Sequence, residues 1–209
     1  MYLKRKAMPR TWPIPRKGTA YVIKSSEKTL PLIVILRDIL KIVRTKKETK
    51  RIMNDNEAFV DGKARKEIGY SAGIFSIISL PRIKKFYRVE MEKDKLRVHE
   101  IKEADSNLKP CKIIGKKTLK GKTQQFNLND GRNLLSNEKF KVNGSLLIRL
   151  KDNKITKHLP LEKGASVLVI GGKNMGSSGK ITEVSEKIKI RSDEKILNIS
   201  LKNIYVVEK

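Results

Sequence analysis

The apolar residues hold a helical period in one short region and then give way to brief runs broken by turns. Leu32, Ile33, Leu36, Ile39, Leu40 and Val43 recur at helical spacing, with Arg37, Lys41 and Arg44 off the apolar stripe. The spacing predicts an amphipathic helix starting at Leu30, with Leu32, Leu36, Ile39 and Leu40 in the core. Thr45-Lys-Lys-Glu48 has the S/T-x-x-E pattern of a capping box and opens a shorter second helix through about Asn54. Ala58-Phe-Val60 and Lys63-Ala-Arg65 flank Asp61-Gly62, a tight-hairpin signal, and residues 74–80 supply another strand. Together these pieces predict an α+β unit over residues 30–85.

Past residue 85 the runs read as strands. Residues 86–92 and 96–101 form a hairpin over Lys93-Asp94-Lys95, and further strands fall near 111–118, 123–128, 145–150 and 155–159. Turn signals stand at Asn129-Asp130-Gly131 and Asp152-Asn153. Five more short runs, 166–170, 180–184, 187–191, 196–201 and 204–207, predict a small barrel. The fold class is therefore multi-domain α+β: an N-terminal arm (1–29), the α+β unit (30–85), a β-rich central domain (86–160) and a C-terminal barrel (161–209).

Charge selects the partner. Lys and Arg number 48 against 22 acids, a net charge of +26, and such an excess self-repels unless a polyanion neutralises it. Nucleic acid is the leading candidate and an anionic membrane surface the second. Residues 1–85 hold 21 bases and 7 acids, so they should meet the polyanion most closely. The arm has Lys4, Arg5, Lys6, Arg10, Arg16 and Lys17 with three prolines and no acid among them, and reads as extended. It is either a solvated tail or one that orders against phosphate, as basic arms do on RNA. Trp12 either stacks on a base or packs on the protein. From the two-helix unit Arg37, Arg44, Lys46, Lys47, Lys50 and Arg51, with Lys63 and Arg65 on the hairpin, are expected to carry most of the binding energy through phosphate contacts.

Other chemistry finds little support. Cys111 is alone, so no internal disulfide is possible, and with only His99 and His158 beside it a Cys-rich zinc finger is excluded. No metal or cofactor is expected, a reducing cytoplasm fits, and Cys111 should be a small buried residue. His99 should be a satisfied structural residue, and His158 has no evident partner in the sequence. Asp61, Asp130 and Asp152 all sit in turns, where a carboxylate capping backbone is the ordinary role. No catalytic triad or metal-ligand spacing appears, so the chain is not expected to be an enzyme. No apolar run approaches the roughly 18–20 residues of a membrane span, and the N-terminus lacks the apolar core of a signal peptide.

Residues 169–184, VIGGKNMGSSGKITEV, look at first like a phosphate-gripping loop. A P-loop needs G-x-x-x-x-G-K followed by Ser or Thr; here Asn174 takes the first position and Ile181 the last, and a strand follows where a helix is required. The glycines fit a tight bend. Lys173, Asn174 and Lys180 are then the loop's polar side chains for RNA or a protein neighbour.

The stretch 162–184, with Gly164, Val169, Gly171-Gly172, Asn174, Gly176, Gly179 and Ile181 in place, resembles a KOW motif. LKRKAMPRTWPIPRKGT at 3–19, LPLIVILRDIL at 30–40 and VDGKARKEIGYSAGIFSIISL at 60–80 precede it. In this order they resemble the archaeal and eukaryotic small-subunit ribosomal protein S-four, e-type, family, with an archaeal wording of the arm, from about Leu3 to Val207. The resemblance implies a basic arm, an S-four-like RNA-binding domain whose helical face binds RNA, a β-rich central domain and an SH3-like KOW barrel. It implies a cytoplasmic ribosomal protein on small-subunit rRNA with ribosomal-protein neighbours, no membrane and no small-molecule substrate. The alternative is a KOW-type transcription or RNA-chaperone factor working off the ribosome. The chain is short for the family, and Ser177 stands where the family's loop often carries arginine, leaving Lys173 and Lys180 to make that contact.

Overall fold

The structure is a computed structural model that describes residues 2–119, 123–185, 187–192 and 195–208. Two units divide the chain, Met1–Asn107 and Leu108–Lys209. In the first, β1 (Tyr2–Lys4), β2 (Tyr21–Ile23) and β3 (Thr29–Pro31) precede a π-helical turn (Val34–Ile39) and α1 (Lys46–Asn54). Then follow β4 (Phe59–Val60), β5 (Lys63–Ala64), β6 (Ser71–Gly73), β7 (Ile77–Leu80), β8 (Lys85–Glu92) and β9 (Lys95–Ile101). β1 pairs with β2, β3 with β6, and the main antiparallel sheet runs β5-β4-β7-β8-β9.

The helix expected from Leu30 is shorter and wider than its spacing predicts. Leu30 and Pro31 are taken into β3, where Leu30 pairs with Ala72, so helical backbone begins only after Pro31. The turn then opens to i−5 and longer bonds, Leu40 N–H to the Ile35 carbonyl at 2.9 Å and Ile42 N–H to the Leu36 carbonyl at 2.9 Å. Lys41, with φ of 55°, ends it. Leu32 to Leu36 are all buried, whereas Ile39 and Leu40, expected in the core, are half-buried at the widened end.

The hairpins follow their local signals. Phe59 pairs with Ala64 and Val60 with Lys63 around Asp61-Gly62, both at positive φ. Asp61 is buried and accepts hydrogen bonds from the Ile77 amide at 2.9 Å and from Ser76 Oγ at 3.2 Å, fixing the hairpin against β7. The hairpin expected to open the central domain instead extends the first sheet: β8 pairs with β7 from Ile77–Arg88 to Leu80–Lys85, and the division falls after Asn107. The N-terminal arm is folded. Met8, Trp12, Ile14 and Val22 are buried, and the Leu96 amide of β9 donates to the Thr11 carbonyl at 2.8 Å. Burying such large apolar side chains contributes about 1.5–3 kcal/mol each.

The second unit holds two five-stranded antiparallel sheets. β10 (Leu108–Thr118), β11 (Gln124–Leu128), β12 (Asn133–Ser136), β13 (Ser145–Arg149) and β14 (Ile155–Leu159) lie in the order β12-β11-β10-β13-β14. β15 (Ser166–Val169), β16 (Ser178–Glu183), β17 (Lys187–Ser192), β18 (Lys195–Ser200) and β19 (Ile204–Val206) lie in the order β18-β17-β16-β15-β19. β12 was not expected; its run is short and follows the Asn129-Asp130-Gly131 turn directly. Cys111, Ile113, Phe126, Leu146 and Ile148 centre one core, and Val167, Val169, Ile181, Ile188 and Ile190 the other. Cys111 is fully buried, as expected, and burial pushes its thiol pKa up.

A buried polar hub stitches the two sheets of this unit together. The Tyr205 hydroxyl donates to the Pro110 carbonyl at 2.7 Å and accepts from the Lys112 amide at 3.0 Å. Lys112 Nζ donates to the carbonyls of Leu201 at 2.6 Å and Ile204 at 2.8 Å. Nearby, Asp130 faces Lys109 Nζ at 3.4 Å and Arg132 Nε at 3.3 Å. His158 packs on Phe140 with ring centroids 4.8 Å apart, and His99, half exposed on β9, lies 3.8 Å from Glu92.

Candidate nucleic-acid interface

α1 starts where its capping box dictates. Thr45 Oγ1 accepts from the Glu48 amide at 3.2 Å, while the Glu48 carboxylate accepts from the amides of Arg44 at 2.8 Å and Thr45 at 3.4 Å. The Arg44 amide, then the Thr45 contact, hold the Glu48 carboxyl below its ordinary pKa. The helix buries Thr49 and Met53 and leaves Lys46, Lys47, Lys50 and Arg51 exposed. Their i,i+3 and i,i+4 spacing makes them one continuous basic stripe. Arg51 Nε reaches Asp55 at 3.8 Å, an exposed pair that leaves it available to a stronger anion.

Beside the start of α1 the fold adds an open groove of about 650 Å³, lined by Arg5, Thr19, Arg37, Asp38, Lys41, Val43 and Arg44. It brings an arm residue and helical-unit bases to one place. Arg5 is buried, its guanidinium held by the Pro15 carbonyl at 2.9 Å and Thr19 Oγ1 at 3.0 Å. Gly18, at φ of 136°, leaves it room: a Cβ there would come within 3.1 Å of the Arg5 guanidinium. Arg37 forms a side-by-side pair with Asp38, at 3.0 and 2.8 Å, and that hydrogen bonding raises its pKa. Lys41 was not among the expected contact residues, although its place off the apolar stripe between Arg37 and Arg44 was the available signal.

The remaining expected residues are distributed. Lys4, Lys6, Arg10 and Lys17 are exposed, and so is Arg16, which donates to the Lys6 carbonyl at 2.7 Å and the Met8 carbonyl at 3.4 Å. Trp12 is 2% exposed, which settles its two readings in favour of packing on the protein. Lys63 is exposed on β5, and Arg65, half-buried, stacks over the Tyr70 ring at 4.3 Å.

In the second unit the glycine-rich loop closes on its own backbone. The Gly176 amide donates to the Val169 carbonyl at 2.8 Å and the Ser177 amide to the Asn174 carbonyl at 3.3 Å. Gly172 and Gly176 sit at φ of 86° and 84°, and β16 follows directly from Ser178, so no helix N-terminus is offered to a phosphate. Gly179 allows a close strand approach, since a Cβ there would lie 2.3 Å from the Arg191 carbonyl oxygen. Lys173 and Lys180 are exposed and Asn174 half-buried; Lys180 stands opposite Arg191 across β16–β17, which adds an exposed base that the motif alone did not single out.

Comparison with known proteins agrees with the sequence resemblance. The model of the ribosomal family S4e matches residues 83–155. The small ribosomal subunit protein eS4 of Methanocella arvoryzae is 38% identical, over 88% of this chain and 80% of the relative. The protein of the same name from Archaeoglobus fulgidus is 34% identical, over 100% of this chain and 86% of the relative. The crystal structure of the 30S ribosomal protein S4e from Thermoplasma acidophilum shares the fold, with a TM-score of 0.75 at 21% identity, covering 88% of this chain and 97% of that one. On the strength of relatives 34–38% identical and aligned over 80–86% of their own length, this chain belongs to the S4e family of ribosomal proteins.

Proposed function

We propose that the protein is a structural constituent of the small ribosomal subunit that holds small-subunit rRNA by distributed phosphate contacts, beside neighbouring ribosomal proteins on the cytoplasmic ribosome. The observation that carries this reading is the grouping of Arg5, Arg37, Lys41 and Arg44 around one open groove at the foot of the exposed α1 stripe. Phosphate contacts dominate affinity for nucleic acid, and a groove beside a basic helix face follows a backbone without demanding a base sequence. The C-terminal five-stranded sheet supplies the KOW barrel in this reading, with Lys173, Asn174 and Lys180 as secondary contacts to RNA or a protein neighbour. The role is structural rather than catalytic. The relatives compared above are named as small-subunit proteins, which favours the ribosomal reading over a factor working off the ribosome.

The test is sedimentation of cell extract through a gradient. The protein is expected at about one copy per small subunit, retained in low salt and released as salt is raised. Recovery mainly in ribosome-free fractions would overturn the proposal.

A further inference from the structure

We infer that one face of the β1–β2 ribbon is a stacking platform for unpaired RNA bases, formed by Tyr2 and Tyr21 with Lys4 and Lys46 as its phosphate contacts. The inference rests on the RNA-binding reading above and adds the kind of RNA that this part of the surface takes. In the antiparallel register Tyr2 lies opposite Ile23, Leu3 opposite Val22 and Lys4 opposite Tyr21. Residues opposite each other share a face and alternate residues return to it, so Tyr2, Lys4, Tyr21 and Ile23 stand on one side. Leu3 and buried Val22 face the other way, into the protein.

The outward face is unusual for its exposed rings. Tyr2 is 56% exposed and Tyr21 61%, whereas the chain's one tryptophan is buried. Large aromatic rings left in water on a ribbon without an acidic residue suit a polyanion that carries flat apolar groups. Lys46 joins the ribbon to the basic stripe of α1: its ammonium donates to the Tyr2 hydroxyl at 2.8 Å and lies 5.5 Å from the ring centroid. A strand whose phosphates follow the α1 stripe would therefore pass its bases over the two rings. Base–aromatic stacking needs a base that is not paired within a helix, because a duplex shows its ring faces only at its ends.

The experiment measures binding of the full chain to a short unpaired oligoadenylate and to a short RNA duplex with the same number of phosphates. It compares the wild type with Tyr2→Leu, Tyr21→Leu, Tyr2→Phe and Tyr21→Phe. Each leucine variant is expected to lose roughly 5- to 150-fold in affinity for the unpaired RNA, with little change for the duplex, while the phenylalanine variants keep the wild-type value. In the unaltered chain, the ring protons of Tyr2 and Tyr21 are expected to shift upfield as the oligoadenylate is added, a readout independent of any variant's folding.

The inference is overturned if leucine variants bind unpaired RNA like the wild type and no ring shift appears. It is also overturned if the leucine variants lose affinity for both RNAs equally. Those results would leave the phosphate-binding proposal standing. Failure of the wild type to bind either RNA would remove that proposal as well.

Discussion

Asp38 stands among Arg5, Arg37, Lys41 and Arg44, and its carboxylate occupies the Arg37 fork that a phosphate would use. Replacing Asp38 with Asn removes this competitor and one negative charge from the groove. Affinity for rRNA is expected to rise about two- to fivefold at low salt, the range of a partly exposed ion pair. A fall in affinity would mean instead that Asp38 positions Arg37 for binding. Tyr205 tests the second unit at the same scale. Tyr205→Phe leaves the Pro110 carbonyl and the Lys112 amide without this partner, at a cost of about 1–3 kcal/mol, read as a Tm several degrees lower with RNA affinity unchanged. An unchanged Tm would show that the Tyr205 hydroxyl contributes nothing to holding the two sheets. Individual residues were the least legible part of the sequence. Trp12 either stacks on a base or packs on the protein as far as its sequence tells, but the fold buries it and exposes Tyr2 and Tyr21. That exchange depends on pairing across the arm and on the Leu96–Thr11 bond, and neither is visible in local sequence. The Lys112–Tyr205 bond likewise joins residues 93 apart.

Elements were legible where their cause is local. The capping box of Thr45 and Glu48 and the Asp61-Gly62 hairpin are each decided within a few residues, and both form where the sequence places them. The helix expected from Leu30 was shortened because β6, some forty residues on, captures Leu30 and Pro31, and because the coil then opens into a π turn. An apolar stripe alone does not separate that turn from an ordinary helix. The widening brings Arg37, Asp38 and Lys41 to the groove, so the departure from regular helix is itself part of the candidate site. The hairpin of β8 and β9 was legible as a hairpin but not as an extension of the first sheet, since only the β7–β8 pairing assigns it there.

At the scale of the whole molecule, the charge of +26 pointed to a polyanion before any element was placed. Part of that charge is gathered in the α1 stripe, the groove and the N-terminal ribbon, all within the first unit. The central claim is that many phosphate contacts from this unit, rather than one specific pocket, hold the RNA. The slope of log affinity against log salt concentration tests it, measured on small-subunit rRNA for the wild type and for the combined Arg44→Ala, Lys47→Ala and Arg51→Ala variant. Six to ten phosphate contacts predict a wild-type loss of about 10³- to 10⁵-fold between roughly 50 and 200 mM salt. The triple variant should bind more weakly at every salt concentration, with a slope shallower by about three. A flat wild-type slope, or a triple variant with the wild-type slope and affinity, would contradict the account.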